Sequence, residues 1–368
     1  MPMTSQNIEQ LDQNFASPKE EKELKYYDVQ TWKIEGKGWQ ETERFFDRLP
    51  AKAKGVVPDA VLALSHHSAG ICVRFITDSN IIEAEWLLYS DQVAMPHMPA
   101  TGVSGLDLYV KDLNNKWRWT GSGRPYANDS RVQKGVLLNV TGAKIKKARE
   151  YMLYLPLYNG VDKITVGLES NAMLVTSPAT SPCKPICFYG TSITQGGCAS
   201  RPGMAYAAII GRMLDKSIIN LGFSGNGRAE KEMADLLAEL DVSLYVIDCL
   251  PNIDANLVVE RLETFINTIL EKTKDVPILV VDHIQYQESV ISNERDKRWR
   301  STSRAMHKIV KKIQEHTPHL FLFDTPKRLL GSDGEATVDG THPNDLGFVR
   351  MATSLAPVIN NILASYKC

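Results

Sequence analysis

Two short stretches in the C-terminal half carry residue types that could perform acyl-transfer chemistry. Tyr189-Gly190-Thr191-Ser192-Ile193-Thr194-Gln195-Gly196 sets a serine on a Gly-flanked turn directly after an apolar run, and Val338-Asp339-Gly340-Thr341-His342-Pro343 sets an aspartate three residues ahead of a histidine. A serine hydroxyl is a poor nucleophile until an imidazole draws off its proton, and the imidazole in turn needs a partner to fix its tautomer. Ser192 as nucleophile, His342 as general base and then as acid to the leaving alcohol, and Asp339 as the orienting group fill these roles. The oxygen that becomes negative needs donors. Candidates for this oxyanion hole are the N–H of Ser192 at a helix start, the N–H of Gly222 in Asn220-Leu221-Gly222-Phe223-Ser224-Gly225, and the side-chain amide of Asn252.

Taken singly these signals are weak. Gly-Thr-Ser after a strand also describes a helix cap, and Asp-x-x-His also describes a local loop contact. A phosphate-cradling role for Gly190–Gly197 lacks the Walker-type lysine. Two further residues could meet a substrate: His283, which otherwise reads as a capped structural histidine, and Arg201, which could bind an acidic group or form a salt bridge at a domain interface. His66, His67 and His97 lack a third ligand at metal-binding spacing, and the six cysteines show no CxxC pair. No metal or other cofactor is expected, and the cysteines read as buried free thiols.

The elements that must hold these residues follow from periodicity. Ile186–Tyr189, Ile218–Leu221, Leu244–Ile247, Ile278–Val281 and Leu320–Phe323 are short, nearly continuous apolar runs, as expected of strands buried on both faces. Helical patterns lie between them, with Leu257, Leu262, Phe265, Ile266, Ile269 and Leu270 on one face and Trp299, Met306, Ile309, Val310 and Ile313 on another. This alternation predicts an α/β, flavodoxin-like domain with a five-stranded parallel sheet. In strand order 2-1-3-4-5, Ser192, Gly222, Asn252, His283 and the Asp339–His342 pair all fall at carboxyl ends of strands, where such sheets bind ligands.

The N-terminal half has another grammar. Ile71–Thr77 with Ile81–Tyr89, Leu106–Val110 with Trp117–Trp119, and Tyr151–Pro156 with Lys163–Leu168 are strand-like runs around polar turns, each pair reading as a hairpin. They predict an all-β, jelly-roll-like sandwich. Trp86, Trp117 and Trp119 could pack there or offer a sugar-stacking face. The expected divisions are a polar segment 1–25, the sandwich 26–175, a Pro- and Ser-rich linker 176–184 and the α/β domain 185–368.

Composition narrows the function classes. With 43% hydrophobic residues, 23% charged residues and a formal net charge of -1, the chain reads as globular, without the basic field that a nucleic-acid backbone requires. No apolar run in the sequence reads as a membrane span.

At Ser192, Gly222, Asn252 and His342, in order, the chain resembles the SGNH or GDSL hydrolase superfamily over about Pro185 to Leu363. It departs from that pattern in Gly-Thr-Ser for Gly-Asp-Ser and in Leu250-Pro251-Asn252-Ile253 at the asparagine block. Thr101-Gly102-Val103-Ser104-Gly105-Leu106-Asp107-Leu108-Tyr109 is similar to the GxDLY motif of a sandwich domain that precedes one branch of that superfamily. Asp107 and Tyr109 read as holding a strand end or the domain interface. The resemblance implies a bacterial serine esterase acting on acylated carbohydrate, a glycan or small-molecule ester being the expected partner. It also implies a periplasmic or secreted protein whose signal peptide is absent from this sequence, a cytoplasmic location being the alternative. Two rival readings stay open: a lipid or thioester acylhydrolase with the same triad, and a catalytically silent carbohydrate-binding protein.

Overall fold

The computed structural model describes residues 12, 23–126, 130–140, 147–176, 183–324 and 329–366. Most of the expected polar N-terminal segment, and residues 177–182 of the expected linker, lie outside them.

Among the described residues, ten strands build the N-terminal half: β1 Leu24–Asp28, β2 Ile34–Glu35, β3 Cys72–Thr77, β4 Ile81–Leu88, β5 Leu106–Lys111, β6 Trp117–Gly123, β7 Val132–Asn139, β8 Arg149–Tyr154, β9 Val161–Glu169 and β10 Leu174–Val175. They form two antiparallel sheets, β1-β9-β4-β7 and β10-β3-β8-β5-β6, with β2 added alongside β3. Alternate residues of both sheets meet in one core that includes Phe75, Trp86, Leu106, Leu153, Ile164 and Val166, as a sandwich requires.

Only one of the three expected hairpins forms. β5 and β6 pair directly, whereas β3 and β4 lie in opposite sheets, as do β8 and β9. The turn residues are used differently at those two corners. Ser79 Oγ donates to Ile81 O, and Asn80 N–H donates to Glu169 Oε2 of another strand. Asn159, fully buried, donates from its amide to Ser90 O, Gln92 O and Ser104 Oγ. These side chains hold the chain as it crosses between layers, which a local turn signal does not distinguish from a hairpin.

The C-terminal half contains β11 Ile186–Gly190, β12 Ile218–Gly222, β13 Leu244–Asp248, β14 Ile278–Val281 and β15 Leu320–Phe323. All pairings are parallel, in the order β12-β11-β13-β14-β15, so the expected flavodoxin-like sheet and its switch point between β11 and β13 are present. The side-chain period of two sends Cys187, Tyr189, Tyr245, Ile247 and Val280 to one face, against Phe265, Ile269 and Met306. Ile186, Phe188, Val246, Leu279 and Val281 go to the other, against Tyr206, Phe348, Met351 and Leu355.

The last helix, Asp345–Ser365, has the length and composition of a membrane span. Its Phe348, Met351, Ala352, Leu355 and Ile359 are buried in the second of these cores, so it packs as a core helix.

Arg48 ties the halves together. Only 1% exposed, it donates from Nη1 to Asn220 O and Gly222 O (3.1 and 2.7 Å), from Nε to His67 O (2.8 Å) and from Nη2 to Leu64 O (2.7 Å). Four carbonyls at the β12 end and in the N-terminal half thus share one buried cation.

Candidate active site

At the end of β11 the chain turns at once into the short helix Ser192–Gln195. A Cβ on Gly190 would lie 2.1 Å from Thr194 Oγ1 and 2.4 Å from Asp248 O, so only glycine lets this turn close. Thr191 is the N-cap, its Oγ1 accepting from Ile193 N–H at 3.3 Å. Threonine supplies the capping oxygen here, the part an aspartate could equally play at that position. Ser192 becomes the first helical residue, 6% exposed, with its hydroxyl 2.9 Å from His342 Nε2.

His342 is held from its other side. Asp339 Oδ2 accepts from the Nδ1 side of the ring at 2.7 Å, while Oδ1 accepts from the N–H groups of Thr341 (3.0 Å) and His342 (2.7 Å). Burial raises the Asp339 carboxyl, but the bonds from His342 and Thr341 outweigh it and hold the group below its ordinary value. The carboxylate therefore stays ionised and fixes the tautomer that leaves Nε2 able to accept from Ser192. Just beyond, Asn344 caps the last helix, and Asp345 accepts from Ser200 N–H (2.9 Å), fastening the histidine loop to the serine loop. The structure thus brings together Ser192, His342 and Asp339.

The oxyanion donors need one correction. Gly222 N–H is committed to Asn220 Oδ1 at 2.9 Å, and its missing side chain serves another purpose: a Cβ there would lie 2.1 Å from Gln195 N. The end of β12 packs directly on the Ser192 helix, so the Gly222 N–H does not face the site as expected from the sequence. Three residues on, a turn closed by Asn226 N–H to Phe223 O carries Gly225 at φ +67°. Among the described residues, no acceptor meets the N–H of Gly225 or that of Ser192. Asn252 stands beside this loop, its Nδ2 donating to Asn226 O at 2.6 Å, which leaves a second amide hydrogen. The unusual Leu-Pro ahead of it forms a 3-10 turn, Leu250–Asn252, with Leu250 and Pro251 buried and Pro251 O accepting from Tyr286.

Sequence reasoning missed the residues that hold this arrangement. Gln195, fully buried, donates to Leu157 O (3.0 Å) and His67 Nδ1 (3.0 Å) and accepts from Ser224 N–H (3.0 Å). Burial first, then Arg48 and His66, push His67 down to about 3, so it stays a neutral acceptor. Tyr158 donates to Ser192 O at 3.3 Å. These groups come from both halves of the chain, so no local spacing announces them.

Of the two readings for His283 and Arg201, the structure shows the structural ones. His283 is fully buried, pushed down to about 4 mainly by that burial, with Nδ1 2.6 Å from Ile284 O and its ring edge-on to Tyr286. Its ring is not presented to a substrate. Arg201 Nη1 donates to Asp107 Oδ2 (2.8 Å) and Tyr109 Oη (2.6 Å), which makes it the partner of the GxDLY-like motif at the domain interface. Asp107 also accepts from Gly203 N–H and Trp119 Nε1, both at 2.8 Å. Trp86 is a core residue and Trp117 donates to Asp215, so these tryptophans have packing and anchoring partners. The described cysteines are free, and Cys368 lies outside the described residues. Cys198, beside the site, is pushed up to about 12 by burial and then by Asp339, which leaves it a neutral thiol.

The profile of the GDSL-like Lipase/Acylhydrolase family matches residues 183–360, and that of the N-terminus of SGNH-hydrolase-type esterases, GxDLY, matches residues 24–174. A GDSL-like lipase from Bacteroides ovatus ATCC 8483 is 34% identical with a TM-score of 0.85, the match covering 93% of this chain and 98% of that one. The chain belongs to the GDSL-like lipase/acylhydrolase family. As a family member it is an SGNH-type ester hydrolase with the two-part architecture of the GxDLY branch. Its fold extends to more distant proteins. A salicylyl-acyltransferase from a tetracycline biosynthetic pathway is 17% identical with a TM-score of 0.72, covering 92% of this chain and 97% of that one. A family two carbohydrate esterase from Cellvibrio japonicus is 12% identical with a TM-score of 0.58, covering 93% and 98%. Among curated proteins none matches this acylhydrolase.

Proposed function

We propose that the protein is a serine esterase that removes a small acyl group, acetyl first, from a carbohydrate hydroxyl through an acyl-enzyme. One observation carries the reading: Ser192 Oγ, the His342 ring and Asp339 Oδ2 form a continuous chain with links of 2.9 and 2.7 Å. As Ser192 Oγ attacks the ester carbonyl, His342 Nε2 takes its proton, and the Asp339 carboxylate stabilises the imidazolium. The negative oxygen is held by the N–H groups of Ser192 and Gly225 and by the Asn252 amide. Collapse expels the sugar oxygen, which receives the proton from His342, and leaves the acyl group on Ser192. Water then gives a proton to His342 and attacks the acyl carbon, and the proton returns to Ser192 Oγ as the carboxylic acid departs.

A short acyl group is favoured by the polar, Gly-rich loops around Ser192 and His342. A carbohydrate alcohol is the class to test first because a carbohydrate esterase shares the fold across both parts of the chain. The test is acetate release from acetylated glycans, with a series of p-nitrophenyl acyl esters, for the wild type beside Ser192→Ala and His342→Ala. Acetyl preference in the wild type and loss of turnover in both variants are expected. A maximum at octanoyl or longer would turn the assignment towards lipid substrates, and undiminished turnover in Ser192→Ala would sink it.

A further inference from the structure

We propose that His97, Cys198 and His342 make a site for a thiophilic divalent cation, zinc above all, whose binding switches the esterase off. The proposal deepens the functional reading above and rests on His342 being its base. One ligand atom from each of the three side chains lies within 4.8 Å of the others. A tetrahedral zinc ion with nitrogen and sulfur ligands at about 2.0–2.3 Å needs those atoms only modestly closer together. Two imidazoles and a thiol form a donor set that suits zinc far better than calcium or magnesium.

The two new ligands are held by local structure. Met95 and Met98 exchange both backbone hydrogen bonds (3.0 and 3.1 Å), which puts Pro96 and His97 at the tip of a tight turn from the N-terminal half. The exposed His97 ring stands edge-on to His342, with centroids 5.9 Å apart. Cys198 follows Gly196 and Gly197 in a left-handed conformation, φ +74°, which aims a buried side chain at the site. The neighbouring contact of Thr101 Oγ1 with Ser200 O, at 2.6 Å, docks the His97 segment onto the Cys198 segment. No sequence spacing shows the cluster, because its members come from three distant segments.

Binding must compete with catalysis. Both nitrogens of His342 are in use, Nε2 on Ser192 and Nδ1 on Asp339. A metal on Nε2 takes the base away from the nucleophile, and a metal on Nδ1 takes away the group that sets the tautomer. In either case Cys198 releases its proton to solvent, both imidazoles bind neutral, and one water position remains to complete four ligands. His97 and Cys198 play no part in the acyl-transfer steps, so their removal should leave basal hydrolysis intact.

The experiment pairs two readouts on the full chain. Cobalt(II) added as a spectroscopic stand-in for zinc should give a sulfur-to-cobalt charge-transfer band that Cys198→Ser abolishes. Zinc should inhibit ester hydrolysis reversibly by chelator, with the half-inhibition concentration raised about tenfold or more in His97→Ala and in Cys198→Ser at unchanged basal rate. The cobalt band does not depend on turnover, so it reports the site even if the esterase assignment fails. Equal zinc inhibition of wild type and both variants would overturn the proposal, and so would a wild type without the band.

Discussion

In the proposed mechanism Ser192, Asp339 and His342 act as a unit, and their removal should be felt in turnover far more than in folding. Ser192→Ala and His342→Ala should each lower kcat by about 10⁴-fold or more, and Asp339→Asn by about 10²–10⁴-fold. Thermal melts should stay close to wild type, because Asp339 and His342 are partly exposed, at 37% and 26% of their side chains. Asp248, at the end of β13, has the opposite character. It accepts from Tyr206 Oη (2.9 Å) and Thr194 Oγ1 (3.4 Å), its Oδ1 has no partner among the described residues, and burial pushes it up to about 6. With the folded value above the ordinary 3.8, the folded state keeps the proton between these values while the unfolded chain loses it. Stability should therefore fall as pH rises through that window, and above it the fold carries a buried charge. Asp248→Asn should stabilise the protein by about 1–3 kcal/mol at pH 8 and by little at pH 4. Melting curves at the two pH values check this; a gain of equal size at both would refute it.

Among the elements, the loop between β12 and the helix Lys231–Leu237 governs the proposed oxyanion donors. Asn252 holds Asn226 O, so it fixes the turn that carries Gly225, and the proposed mechanism gives its second amide hydrogen to the negative oxygen. Asn252→Ala should lower kcat by about 10²–10³-fold with KM little changed, since the donor is needed at the negative oxygen rather than at the bound ester. A rise in KM at constant kcat would instead assign Asn252 to ground-state binding. Gln195 supports the same loop from below through Ser224 N–H. Its position one helical turn after Ser192 couples the proposed nucleophile to the proposed donors by a short rigid path.

The two halves of the molecule meet through charges removed from solvent. Asp107 is fully buried and pairs with Arg201, whose side chain keeps 22% exposure. Asp107→Asn would leave Arg201 without its counter-charge and should cost about 2–3 kcal/mol, the low end for a buried pair because the arginine retains some solvent. Denaturation should show the loss. If Arg201 bound substrate instead, Arg201→Gln would raise KM without lowering the melting temperature. The interface also bears on the site, because Tyr158 and His67 reach Ser192 and Gln195 from the N-terminal half.

The sequence by itself determined the parallel sheet, since strands buried on both faces must be apolar at successive positions, as Ile186–Tyr189 and Ile278–Val281 are. It also singled out Ser192, Asp339 and His342, whose side chains the fold brings into one hydrogen-bonded chain, because a cap, a strand end and an Asx-type loop are local features that the chain writes in adjacent residues. Tertiary structure decided what local patterns leave open. The pairs β3 with β4 and β8 with β9 look like hairpins until the packing of two sheets separates them. Gly222 and Gly225 are indistinguishable as letters, and only the approach of Gln195 to one and the open turn at the other tell them apart. His283 and Arg201 sit at suggestive places, but burial withdraws the first and Asp107 captures the second. Gln195, Tyr158, Arg48, and the meeting of His97 with Cys198 and His342, depend on contacts between segments far apart in the chain. Such contacts are set by how two cores dock, a property of the folded whole that periodicity and spacing do not encode.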